Sequence, residues 1–152
     1  MSKIEEKYKG DMILINRLSK FLSDDNWQWN KGEVISFNDI AYAIHKAQPE
    51  ESEPFEDQWK HFCMKTRSTK WRIGRILYFI NHPEEIKDVE IDNLYSGEYI
   101  FPVPVIIDGN HRLMAAIWLA SQGKMNKIHC IYGGRIDLLD YLTGKTDNCP
   151  DE

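Results

Sequence analysis

Apolar residues recur along this chain with two different periods, and the change from one to the other marks the predicted elements. From Met1 to Leu22, Ile4, Tyr8, Met12, Ile15, Leu18 and Leu22 fall at intervals of three, four or near multiples, so the spacing predicts a helix with a break at Gly10-Asp11. Glu33 to Phe37 reads as a short strand. Asn38 is a suitable N-cap for a helix carrying Ile40, Ala41, Ile44 and Ala47. Phe55, Trp59, Phe62 and Cys63 form the buried stripe of a further helix over 55–65. Ser68 or Thr69 opens another, with Ile73, Ile76, Leu77 and Ile80 on one face and a stop at Asn81-His82-Pro83.

Beyond Pro83 the pattern shortens. Lys87 to Ile91 predicts a strand, with a turn at Ser96-Gly97. The run Val103, Val105, Ile106 and Ile107 predicts a central strand apolar on both faces, entered through Pro102 and Pro104. Leu113, Met114, Ile117, Trp118 and Ala120 then return to helical spacing, ending at Gly123. In 127–132, Ile128, Cys130 and Tyr132 alternate with His129 and Ile131, a half-buried strand in which His129 packs or lies at an edge. Gly133-Gly134-Arg135 turns into a helix bearing Ile136, Leu138, Leu139 and Leu142, a second glycine-rich helix entry and a second candidate anion site. Helices first, then strands interleaved with helices, predict an α+β fold with a small mixed sheet flanked by helices. The expectation is a single domain over 1–152, with its core at about 33–143 and an N-terminal helical extension at 1–26.

The chemistry concentrates where the predicted central strand meets the next helix, at Asp108-Gly109-Asn110-His111-Arg112. A helix amino terminus presents unsatisfied N–H groups and partial positive charge, which disfavours cations. His111 and Arg112 stand there nevertheless. A glycine that permits close approach, free N–H donors, an imidazole and a guanidinium together describe a cradle for an anion, foremost a phosphate. Asp108 could bind magnesium, accept a substrate proton, or anchor Arg112. The bland alternative makes Asp108 or Asn110 an N-cap and leaves His111 and Arg112 solvated.

The DGNHRL string, followed by Ala115 and Ala116 and preceded by an apolar strand, resembles the ParB/sulfiredoxin-like superfamily over about residues 72–132. That resemblance implies the family's fold and nucleotide-phosphate binding by the His-Arg element, here Gly109, Asn110, His111 and Arg112. Asn110 stands where sulfiredoxins carry their catalytic cysteine. The arginine-rich box and following helix-turn-helix of chromosome-partitioning members have no counterpart. The closest likeness is to the small stand-alone members of phages and plasmids, together with a free-serine kinase branch.

Composition and charge narrow the classes. The chain has 152 residues and a net charge of −5, so nonspecific binding to nucleic acid is not favoured by the average. Lys65, Arg67, Lys70, Arg72 and Arg75 nevertheless gather into a positive patch, and Arg72 and Arg75, one turn apart and directed away from the apolar face, are candidates to meet the same phosphates as Arg112. Three cysteines without a C-x-x-C pair argue against a disulfide framework or structural zinc. No apolar run is long enough for a membrane span, and the expectation is a cytoplasmic protein with no membrane partner. The Gln48–Pro54 loop is acidic and reads as exposed, a lid or partner patch or a plain connection, and Trp27 and Trp29 read as the cap of a small core. Glu33 is a conceivable carboxylate beside an acceptor hydroxyl.

The expectation is therefore a nucleotide-phosphate-binding protein, its ligand a nucleoside di- or triphosphate with or without magnesium at Asp108. Asp108 and His111 would be catalytic if the nucleotide is hydrolysed or its phosphoryl group transferred. A non-catalytic accessory or inhibitor protein of a mobile element, acting through a protein partner or nucleotide signal, is the alternative. A DNA-binding or nuclease protein is a third.

Overall fold

The structure is a computed structural model that describes residues 6–22, 34–52, 68–95 and 99–150. The 55–65 helix, Trp27, Trp29, Glu33, Lys65, Arg67 and the Ser96-Gly97 turn lie outside those residues. The described chain is α+β: β1 (Glu6–Leu14), α1 (Ile15–Ser19), α2 (Phe37–His45), α3 (Thr69–Asn81), β2 (Val89–Tyr95), β3 (Tyr99–Asp108), α4 (Asn110–Ser121), β4 (Lys127–Gly134) and α5 (Ile136–Thr143). The strands form one mixed sheet in the order β1-β4-β2-β3, with β4 and β2 parallel and both outer pairs antiparallel.

Alternate strand residues are buried: Ile13 on β1, Ile128, Cys130 and Tyr132 on β4, Val89 and Ile91 on β2, and Ile106 on β3. They join Ile40, Ile76, Leu113, Ala116, Leu119 and Leu142 from the helices in one hydrophobic cluster. Burial lifts the Cys130 thiol to about 12, so it stays protonated as a core residue.

The structure corrects three expectations. The first is the amino-terminal helix, because Glu6–Leu14 is a strand and helix begins only at Ile15. Antiparallel pairing of Met12 with His129 and Ile13 with Ile128 satisfies its backbone, which outweighs a helical apolar spacing. Second, residues 34–36 form no strand. The following helix is capped by Ser36 rather than Asn38: its side chain accepts from the Asp39 amide while the Asp39 carboxylate accepts from the Ser36 amide, a capping box.

Third, the apolar run expected at the centre of the sheet is its outer strand β3, paired only with β2 among the described residues, with Ile106 buried and Ile107 exposed. Pro102 and Pro104, which cannot donate to a ladder, are tolerated at that edge. The acidic 48–52 segment keeps Pro49, Glu50 and Ser52 exposed, as expected, and is strapped to α3. Gln48 donates to Lys70 O at 2.9 Å, the Glu51 amide to Gly74 O at 3.0 Å, and Asn81 to Glu50 at 2.9 Å. Gly74 makes the seat, since a Cβ there would lie 2.8 Å from Glu51 Cγ and 3.1 Å from Pro49 O. The 68–81, 110–121, 127–134 and 136–143 elements agree closely with expectation.

Candidate functional site

The junction between β3 and α4 is built by Gly109, which caps the helix at φ +103°, a conformation an L side chain resists. The close approach it allows is to the protein itself, because a Cβ there would sit 3.2 Å from Val89 Cα and 3.2 Å from the Arg112 guanidinium. Having no side chain, Gly109 brings no cap to the amides of Asn110, His111 and Arg112, the first three of the helix.

Two side chains then diverge from that terminus. Arg112 turns toward the sheet, where Nη1 donates to Lys87 O at 2.6 Å and approaches Asp88 O at 3.5 Å, and Nη2 meets the Asp108 carboxylate at 3.2 Å. Of the three roles open to Asp108, anchoring Arg112 is the one the structure contains, with the carboxylate two-thirds exposed beyond it.

His111 turns the other way, toward α3. Its Nε2 lies 3.5 Å from Arg72 Nη1, and the Trp71 ring meets the imidazole edge-on at 5.8 Å. Burial first, and then the positive charges of Arg72, Arg75 and Arg112, hold its pKa down to about 3. The imidazole is therefore neutral at pH 7. With a permanent donor facing Nε2, its proton belongs on Nδ1.

Arg72 and Arg75 correct the expectation that both point away from the apolar face. Arg72 is buried at 5% exposure, placed inward where α3 meets α4. Arg75 donates to Glu51 O at 3.1 Å and Ser52 O at 2.9 Å and lies over the rings of Phe79 and Tyr78, so it fastens the acidic strap while its charge still reaches His111. Asp108, Gly109, Asn110, His111, Arg112, Arg72 and Arg75 thus lie around one helix end, in two groups on either side of it.

A partner that sequence reasoning missed completes the sheet side. Asp88, in left-handed conformation at φ +57°, accepts from His129 Nδ1 at 2.9 Å, and the residues are 41 positions apart, beyond any local spacing rule. The second glycine-rich entry differs in kind. Buried Arg135 there pairs with Asp137 through two bonds of 3.0 and 2.8 Å, so a carboxylate already occupies the first turn of α5. A cleft of about 550 Å³, lined by Ile44, Leu77, Ile80, Trp118 and Lys124 among others, opens at the far end of α4. The carboxyl ends of α2, α3 and α4 converge there, which disfavours an anion.

Among the described residues no group of three or more His, Cys, Asp or Glu side chains is placed to hold a metal ion. Among them, too, no helix is long and apolar enough to cross a membrane. Asp108 alone fits magnesium only where phosphate oxygens supply the remaining ligands. Comparison with protein-family models, with curated proteins and with solved structures finds no match.

Proposed function

We propose that this chain binds a nucleotide by its phosphates at the amino terminus of α4, in the manner of the ParB/sulfiredoxin-like proteins that its DGNHR string resembles. The observation that carries this reading is the glycine-capped end of α4, whose first amides receive no side-chain cap and beside which the Arg72 guanidinium stands 3.5 Å from His111 Nε2. Positive charge is concentrated there in an otherwise acidic chain, and a phosphate compensates it. The Asn110, His111 and Arg112 amides would donate to the phosphate, with the His111 side chain facing it from α4 and Arg72 from α3. Trp71 offers an aromatic surface beside it. Magnesium, where present, would bridge Asp108 and the phosphates. Hydrolysis or phosphoryl transfer suits such a site because both depend mainly on positioning and charge stabilisation.

The test is calorimetric titration with ATP, ADP, CTP and GTP, with and without magnesium, on wild type and Asn110→Asp. A carboxylate at the first helical position favours the helix by about 0.3–1 kcal/mol but repels a phosphate. Binding should therefore weaken about tenfold or more, a cost near 1.4 kcal/mol, while thermal stability is held or raised. No binding by wild type, or equal binding by the variant, defeats the proposal.

A second reading, a partner-binding accessory protein, draws on α2, which exposes Phe37, Tyr42 and Ile44. Stoichiometric capture of one protein that is lost on Tyr42→Glu and kept on Asn110→Asp would favour it.

A further inference from the structure

The cleft at the carboxyl end of α4 lies at the opposite pole of that helix from Gly109, about 18 Å away for 12 residues rising 1.5 Å each. Its volume of about 550 Å³ suits a small organic molecule. Ile44 from α2, Ile80 from α3 and Trp118 from α4 give it apolar walls. An edge-to-face contact with Phe37, ring centroids 5.4 Å apart, fixes the Trp118 ring in place. The polar groups around these walls are of one kind. Gln48, Asn81 and Gln122 line the cleft, and each commits its amide nitrogen to the protein: Gln48 to Lys70 O at 2.9 Å, Asn81 to Glu50 at 2.9 Å and Gln122 to Ser121 Oγ at 3.3 Å. Among the described residues none of the three carboxamide oxygens receives a bond, so what each offers a ligand is an acceptor. The negative ends of three helices add to those acceptors, and neither α3 nor α4 carries a basic residue in its last turn to offset them. Of the charged side chains nearby, Glu50 is bonded to Asn81, Lys46 lies over the Tyr42 ring, and exposed Lys124 stands in the wall.

We infer that this cleft is a second ligand site, and that it takes a small amphipathic amine, with an apolar body against Trp118, Ile80 and Ile44 and an ammonium group at the carboxamide oxygens. Apolar walls alone would accept any apolar molecule of the right size. The sign of the polar groups selects among them. An ammonium brings three donors to a set of acceptors, and its charge is attracted by the converging helix ends and by an indole face. A carboxylate or phosphate brings only further acceptors and meets the same negative dipoles. Lys124 is the exception, since its charge opposes the ammonium, but its exposure to solvent weakens that repulsion. The inference does not depend on nucleotide binding. The two ends of α4 take ligands of opposite sign, each matched to the dipole it meets.

The experiment titrates isotopically labelled protein with three probes: tryptamine, indole-3-propionate, which keeps the ring and reverses the charge, and ethylamine, which keeps the charge and lacks the ring. Methyl, side-chain amide and indole resonances are followed on wild type, Lys124→Glu and Ile44→Lys. Tryptamine should give saturable shifts at Ile44, Ile80, Trp118 and Gln122, and should bind about tenfold or more tighter than either control. Lys124→Glu replaces an opposing charge by an attracting one and should tighten tryptamine about threefold or more. Ile44→Lys, at a position already 46% exposed, sets a cation in the wall and should weaken it about tenfold. If Ile44→Lys does not fold, Lys124→Glu at its exposed position reads the charge dependence alone. No saturable tryptamine shifts in the cleft, equal binding of indole-3-propionate, or an affinity that Lys124→Glu leaves unchanged overturns the inference. Each of these results leaves the nucleotide reading, which concerns the other end of α4, untouched.

Discussion

The burial of His111 makes the acid stability of this protein depend on one imidazole. Its pKa stands at about 3 in the fold against 6.5 in an open chain, because desolvation and the arginine charges both oppose the imidazolium. Between those values the unfolded chain takes up a proton that the folded chain refuses. Stability is therefore complete above about pH 6.5 and falls as pH drops toward 3. Each pH unit in that window costs about 1.4 kcal/mol, so acidification from pH 7 to 5 removes about 2 kcal/mol through His111 alone. Glutamine keeps a polar side chain at the site and cannot titrate. Urea unfolding of wild type and His111→Gln at pH 7 and pH 5 isolates the contribution, since the other histidines and the carboxylates cancel in the difference. The wild-type midpoint should fall about 1 M further than that of the variant. Parallel shifts in the two proteins would refute a buried, neutral imidazole and with it the electrostatic basis of the proposed site.

Other substitutions test the supports of the same junction. Gly109→Ala forces an L residue to φ +103° and sets a Cβ 3.2 Å from Val89 and Arg112, and it should cost about 1–2 kcal/mol or more by thermal unfolding. Arg112→Ala removes the bonds to Lys87 O and Asp108 and should destabilise by about 1–3 kcal/mol, so a loss of ligand binding in that variant reports partly on the fold. Gly74→Ala gains about 1 kcal/mol of helix propensity yet displaces the acidic strap, so hydrogen exchange at Glu51 should speed markedly even where global stability is unchanged. Cys130, buried with its thiol at about 12, should resist iodoacetamide until the protein is denatured, while exposed Cys149 reacts at once, as peptide mass mapping would read.

Much of this arrangement is legible locally, and the remainder fails for identifiable reasons. Ser68 caps α3 through the Trp71 amide, Gly109 and Gly123 bound the motif helix, and β4 alternates as its residues imply, because each depends on neighbours within one or two turns. The β1 segment was not legible, since its helical spacing is overridden by a partner more than a hundred residues away. Whether a strand is central or outer depends on sheet order, which the apolar run at 103–107 does not encode. Of the candidate site, the DGNHR junction was visible as turn chemistry followed by out-of-place cations. The inward course of Arg72, the docking of Arg75 on the strap and the Asp88–His129 pair are tertiary, and no residue spacing announces them.

The most direct test of the account is titration of the isotopically labelled protein with magnesium ATP, and with the other three triphosphates in turn, followed by backbone amide and imidazole resonances. The account predicts, for at least one of them, saturable shifts centred on the amides of Asn110, His111 and Arg112, with the His111 pKa rising from about 3 as the phosphates offset the arginine charges. A spectrum unchanged by all four, or shifts confined to other parts of the molecule with His111 unmoved, would contradict it.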